Sequence, residues 1–196
     1  MCGKVPSGSK PIAAVTSPGS ASRSSVMCRR TTLPAPVEAV IEERIGRLPE
    51  RLREALRVAS VEGEAFTLEV VARVQGADER DILDHLSRDL DRKHRLVEAE
   101  GMWRLRSGCL SRYRFRHILY QRYLYNSVDP VERAYLHKAA GTALEALCDE
   151  EPETVSLSVQ LARHFRRAGM VEKAVDHLRR AGEMAQPCEF SDPDGP

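Results

Sequence analysis

The six histidines and five cysteines offer the most chemistry in this chain, and their spacing limits what they can do. His85 and His94 are nine positions apart and cannot share one helix face at metal-ligand spacing. His137, His164 and His177 fall on separate predicted helices, and no HExxH pair occurs. Cys2, Cys28, Cys109, Cys148 and Cys188 include no CxxC pair, which argues against structural zinc and against a disulfide framework. We expect reduced thiols, since neither Cys109 nor Cys148 has a base nearby in sequence. The acidic run DEEPE lacks the alternation of a calcium loop. Residues 3–10, GKVPSGSK, set two glycines at phosphate-loop spacing, but Ser9-Lys10 reverses the lysine–hydroxyl order that nucleotide binding needs. We therefore expect no catalytic residue, no cofactor and no metal, and a chain that is not an enzyme.

Residues 112–128 pose a sharper question, because they interleave aromatics with Arg112, Arg114, Arg116 and Arg122. Those arginines could contact phosphates if the segment lay on DNA. The preceding predicted helix would then be the reading helix. It carries Asp78, Glu79, Asp81, Asp84, Asp89 and Asp91 against Arg80, Arg88 and Arg92, a poor surface for a phosphate-lined groove. The alternation of residues 112–116 puts Tyr113 and Phe115 on one strand face and three arginines on the other. The structural reading sends the aromatics into a core and pairs the arginines with the acidic helix. His117 then packs or caps at a strand-to-helix junction, and Tyr120, Tyr123 and Tyr125 seat the following helix.

The elements that must hold these residues follow from periodicity. The chain has 196 residues and a net charge of +1, so any basic patch is local. No apolar run reaches the length of a membrane span. Residues 1–35 are rich in Ser, Gly and Pro, and a basic, disordered tail is expected. Val37, Val40, Ile41, Ile45 and Leu48 predict a first helix, and Leu52, Ala55, Leu56 and Ala59 a second. Residues 60–66 read as loop. Thr67 caps a short third helix ending at Gly76, with Phe66 and Val71 at staple spacing. Asp78 caps a fourth, whose apolar face is Ile82, Leu83, Leu86 and Leu90. Residues 95–99 and 102–105 read as two strands about a turn at Glu100-Gly101, and residues 112–116 as a strand. Helices followed by a β-hairpin are the order of a winged helix. Beyond His117 the helical period returns. Pro130 opens a long helix, and two more cover about 154–167 and 171–184.

The last two helices carry Leu161, Ala162 and Phe165, then Ala174, Leu178 and Ala181. The alanines allow close approach, with Phe165 and Leu178 expected to fill the gap. This pair looks like one tetratricopeptide repeat, with Ser158 where tryptophan is usual. Four segments in order, VEAVIEERIGRLPERLREALRVASVEGEAFTLEVV, ILDHLSRDLDRKHRLVEAE, YRFRHILYQRYLYNSV and LARHFRRAGMVEKAVDHLRRAGEMA, resemble the middle region of bacterial STAND-type (signal-transduction AAA-related) ATPases. The resemblance spans residues 36–185. It agrees with the elements read from periodicity, a winged-helix-like domain at 36–116 and a tetratricopeptide-like segment at 117–186 within a mostly α fold, and the polar, Pro-rich residues 187–196 read as a disordered tail. In such proteins the ATPase core lies upstream, so a truncated or partial gene product is expected. The implied role is cytoplasmic signalling: nucleotide state passes through a joint at Tyr113, Phe115, His117, Tyr120 and Tyr123 to partner-binding repeats. Candidate contacts to a protein partner are Arg163, Arg166, Arg167 and Lys173. An incomplete array would leave an apolar edge at Val175 and Leu178, and so a tendency to self-associate. The alternative is a winged-helix DNA-binding transcriptional regulator.

Overall fold

The computed structural model describes residues 34–104, 108–148 and 154–185. Two helices open it, α1 (Ala35–Gly46) and α2 (Glu50–Glu62), with Pro49 at the break. Leu52, Ala55, Leu56 and Ala59 recur at three- and four-residue spacing and are all buried on one face of α2. Strand β1 (Ala65–Thr67) follows, where a loop was expected. A three-residue strand has no alternation to read, and only its pairing makes it one. Phe66 lies opposite Tyr113, and its ring is 6.1 Å from Tyr113 and 5.3 Å from Phe115.

Helix α3 (Leu68–Gln75) ends at Gly76, whose φ of +62° is the left-handed conformation that a helix C-terminus favours. Thr67 stands at the start of α3, but its side chain makes no capping bond. Asp78 does cap α4 (Glu79–Asp84), accepting from the Arg80 N–H at 2.8 Å. The backbone then widens into a π-helical segment, His85–Lys93. Ile82, Leu86 and Leu90 are buried, whereas Leu83, about 100° round the helix from Ile82, is 42% exposed.

The expected turn at Glu100-Gly101 is instead a β-bulge. Strand β2 (Val97–Arg104) pairs Ala99 with Tyr113 and Gly101 with Arg112, which leaves Glu100 as the extra residue. Gly101 has a φ of +148°, and this lets β2 continue to Arg104 in place of a separate strand. Its partner β3 (Cys109–Phe115) is central in the antiparallel order β1-β3-β2. The described chain is mostly helical with a small antiparallel sheet, the class its sequence predicts.

Four helices complete it: α5 (Ile118–Ser127), α6 (Pro130–Leu147), α7 (Val155–Arg167) and α8 (Val171–Ala185). Asp129 accepts from the Val131 and Glu132 N–H groups, and Pro130 sits in the first turn of α6, where no N–H is missed. Two cores result. Leu56, Phe66, Leu86, Leu90, Phe115 and Leu124 belong to the first; Leu110, Leu144, Leu161 and Phe165 belong to the second. Helix α5 gives Leu124 to the first core, while its Tyr125 reaches His137 on α6 and Arg167 on α7. Helix α3 joins the two, because adjacent Val70 and Val71 enter different cores.

Candidate functional site

A run of polar contacts, from exposed Arg167 to buried His164, lies where α5, α6 and α7 meet. The Arg167 guanidinium donates to the Tyr125 hydroxyl. That hydroxyl is 3.1 Å from His137 Nε2, and His137 Nδ1 is 3.1 Å from His164 Nδ1. Tyr125 accepts from Arg167, so its own proton is best directed to His137 Nε2. His137 then carries its proton on Nδ1 and donates to His164, whose proton sits on Nε2. His164 Nε2 is buried and has no partner among the described residues. Arg133 covers the Tyr125 ring at 4.4 Å and donates to the Val128 carbonyl at 2.6 Å.

Both imidazoles are held neutral. Burial lowers the pKa of His137 to about 3, helped by His164 and by Arg167, Arg163 and Arg133. Burial lowers that of His164 to about 3 as well, helped by Arg163 and Arg167. The three arginines thus form a positive rim against which a further charge is unfavourable.

A second tie lies beside the first. Arg163 reaches from α7 and donates to the backbone carbonyl of Glu62, at the end of α2. Loss of water lowers its pKa, as does Arg167. Both oxygens of the Glu62 carboxyl lie 3.2 Å from the Thr67 N–H. Burial pushes the Glu62 pKa up to about 8, against the opposing pull of the Thr67 bonds, Arg112 and Arg163. The cleft here has a volume of about 310 Å³ and includes Ser156 and Gln160 in its wall.

The joint residues expected from sequence occupy two places. Tyr113 and Phe115 are buried in the first core, and the Tyr113 hydroxyl pairs with Ser87 Oγ at 2.8 Å. His117 is exposed and caps α5, accepting from the Leu119 N–H at Nδ1. Tyr120 is turned to α1, where Arg44 donates to its hydroxyl at 2.6 Å. Tyr123 also packs on the first core, and burial raises its pKa, with Glu42 and Glu38 adding to the effect. Tyr125 is the member of this run that reaches the helical hairpin. The strand arginines are paired: Arg112 with Glu100 at 3.3 Å, Arg114 with Glu98 at 2.9 Å, and Arg116 with Asp91 at 2.7 Å and Glu98 at 3.1 Å.

In the hairpin Leu161, Ala162, Phe165, Ala174 and Ala181 are buried, but Leu178 is 50% exposed and does not fill the gap beside Phe165. His177 does, stacked on Phe165 with centroids 5.5 Å apart and planes 10° from parallel. The two assignments differ by one residue, and 174–177–181 fits helical spacing as well as 174–178–181. Three of the four expected partner contacts are engaged within the chain. Arg163 and Arg167 hold the junction, and Lys173 pairs with Glu145 at 2.7 Å while lying 4.8 Å from the Phe165 ring centre. Arg166 is exposed.

Cys109 is exposed and Cys148 buried, and neither is in a disulfide; Cys2, Cys28 and Cys188 lie outside the described residues. Both expected tails, apart from the few residues at 34–35, also lie outside them. Among the described residues no three His, Cys, Asp or Glu side chains converge as metal ligands, and no helix is long and apolar enough to cross a membrane.

The chain resembles part of a longer protein. It is 30% identical over 146 residues to an uncharacterized protein of Rhizobium meliloti (strain 1021). The aligned part is 74% of this chain but 13% of that protein's length. No protein-family model and no solved structure matches the chain.

Proposed function

We propose that the chain is a non-catalytic coupling and protein-interaction segment of a STAND-type signalling ATPase. The observation that carries this reading is the double tie between the two cores, Arg163 to the end of α2 and Arg167–Tyr125–His137–His164 across α5, α6 and α7. A rotation of the first core relative to α7 would have to break the arginine bonds to Glu62 and Tyr125 and disturb the buried histidine pair behind them, so movement of one core is passed to the other. The first core takes the part of a winged-helix-like module, and α7 and α8 that of a tetratricopeptide-like unit facing a protein partner. The alignment with a segment of a much longer protein supports a place inside a larger polypeptide, which this reading takes to be a cytoplasmic regulator.

The competing reading is a DNA-binding regulator, and pairing of Arg112, Arg114 and Arg116 by acids counts against it. Fluorescence anisotropy with labelled random duplex DNA, scanned over salt, separates the two. A flat signal is expected. Tight binding with a steep salt slope, lost when Arg112, Arg114 and Arg116 become Ala, would promote the regulator and sink the coupling role. An upstream nucleotide-binding domain encoded in the flanking DNA would further support the coupling role.

A further inference from the structure

We propose that α8 is a homodimerisation helix that pairs antiparallel with α8 of a second copy about a dyad at Val175. The inference rests on exposure and charge along α8, and it does not depend on the signalling role. Val171, Val175 and Leu178 are 64%, 54% and 50% exposed, and their i, i+4, i+7 spacing confines them to an arc of about 60° on the helix. Gly182 continues the stripe, and a Cβ there would meet nothing within 4 Å. The face that packs on α7 is a different one, formed by Ala174, His177 and Ala181.

The stripe fits a reversed copy of itself. With Val175 opposite Val175 of the second copy, Val171 falls beside the second copy's Leu178, and Leu178 beside its Val171. In an antiparallel helix pair the same flank of each helix meets. On the flank next to the stripe stand Glu172 and Arg179, both exposed. The dyad at Val175 sets Glu172 of each copy against Arg179 of the other, so the register that matches the apolar residues also matches opposite charges. A register shifted by a turn would still set Val175 beside Leu178 of the second copy, but it would part Glu172 from Arg179, so the charges select the register. Arg179 also bonds Glu183 within its own helix at 2.6 Å, an exposed pair that can share or exchange its guanidinium at little cost. Asp176 lies about 100° round from Val175, outside the contact. A copy of this chain therefore satisfies the stripe and this flank together.

Three aliphatic side chains from each copy make a small contact, so the dimer is weak and concentration-dependent. Sedimentation of the full chain from micromolar to millimolar concentration should show reversible monomer–dimer exchange. Val175→Glu brings two carboxylates together at the dyad and should raise the dissociation constant about tenfold or more, with unchanged far-ultraviolet circular dichroism. Glu172→Arg alone and Arg179→Glu alone should each weaken the dimer. The double exchange restores opposite charges and should return the constant to within about threefold of the parent. A monomer at every concentration overturns the proposal. So does a dimer indifferent to Val175→Glu, which would place the contact elsewhere. A double exchange no better than the single variants overturns the antiparallel register.

Discussion

Stability should fall as pH rises from about 6.5 to about 8, and Glu62→Gln should remove that fall. Glu62 ends α2, where the helix carbonyls already disfavour negative charge, and it is 1% exposed. Its pKa is about 8 in the folded chain against 4.5 for the free group. Above 4.5 the unfolded chain has released this proton and the folded chain keeps it, so rising pH favours unfolding until the folded pKa is passed. His137 and His164 act in the opposite sense. Their folded pKa values are about 3 against 6.5 when free, so below 6.5 the unfolded chain takes up two protons that the folded chain refuses.

The sums of bound protons set the slopes. Between 4.5 and 6.5 the unfolded chain holds extra protons at His137 and His164 and lacks the one at Glu62, and His94, its pKa lowered by burial and by Lys93, adds in the histidine sense. Stability then rises with pH by at least about 1.4 kcal/mol per unit. From 6.5 to 8 only the glutamate difference remains, and the slope reverses with the same size. A maximum near pH 6.5 is expected in urea unfolding at a series of pH values. Glu62→Gln keeps an oxygen for the Thr67 N–H and has no proton to lose. Its curve should rise to the same pH and then stay level, gaining about 3–5 kcal/mol on the parent by pH 9 relative to pH 5. Parallel curves on the alkaline side would show that another group causes the fall.

Glu62 also marks where sequence reading reaches its limit. The cap at Asp78, the helix start at Pro130, the stop at Gly76 and the stripe Leu52–Ala55–Leu56–Ala59 are local, and their physics acts within one or two turns. They were legible. The tie of Arg163 to Glu62 spans 101 residues, and that of His137 to His164 spans 27. No period encodes such a contact. Two signals were nonetheless present. Glu62 continues the spacing of Leu56 and Ala59, so a carboxyl stands on an apolar stripe. His137 shares a face with Ala140, Gly141 and Leu144, so an imidazole stands on another. A polar group placed in an apolar stripe must find a partner or lose its charge, and these two do both. Strand β1 and the bulge at Gly101 were missed for another reason. Each exists through its pairing with β3 and leaves no pattern in its own few residues.

The closest approach of α6 to α7 carries the other large effect. Phe165 is 0% exposed at the middle of the second core, and Phe165→Ala should cost about 3–5 kcal/mol in chemical unfolding. Gly141 makes the approach possible: a Cβ on it would lie 3.1 Å from His164 Cβ and 3.2 Å from Phe165 Cε1. A Cβ is fixed to the backbone and cannot swing away, so Gly141→Ala must part the helices. The parting stretches the 3.1 Å contact between His137 and His164 as well. We expect Gly141→Ala to destabilise by about 1–3 kcal/mol despite the better helix propensity of alanine. Gly182→Ala is the internal comparison, because it sits in α8 with open space about it. Propensity alone acts there, and the variant should gain about 0.5–1 kcal/mol when measured at concentrations too low for association. In the Phe165→Ala background the ring that crowds Gly141 is gone, so the second alanine should cost less than it does alone. Equal gains from the two glycine variants would mean that α6 and α7 stand farther apart than this geometry requires, and the histidine pair between them would fall with it.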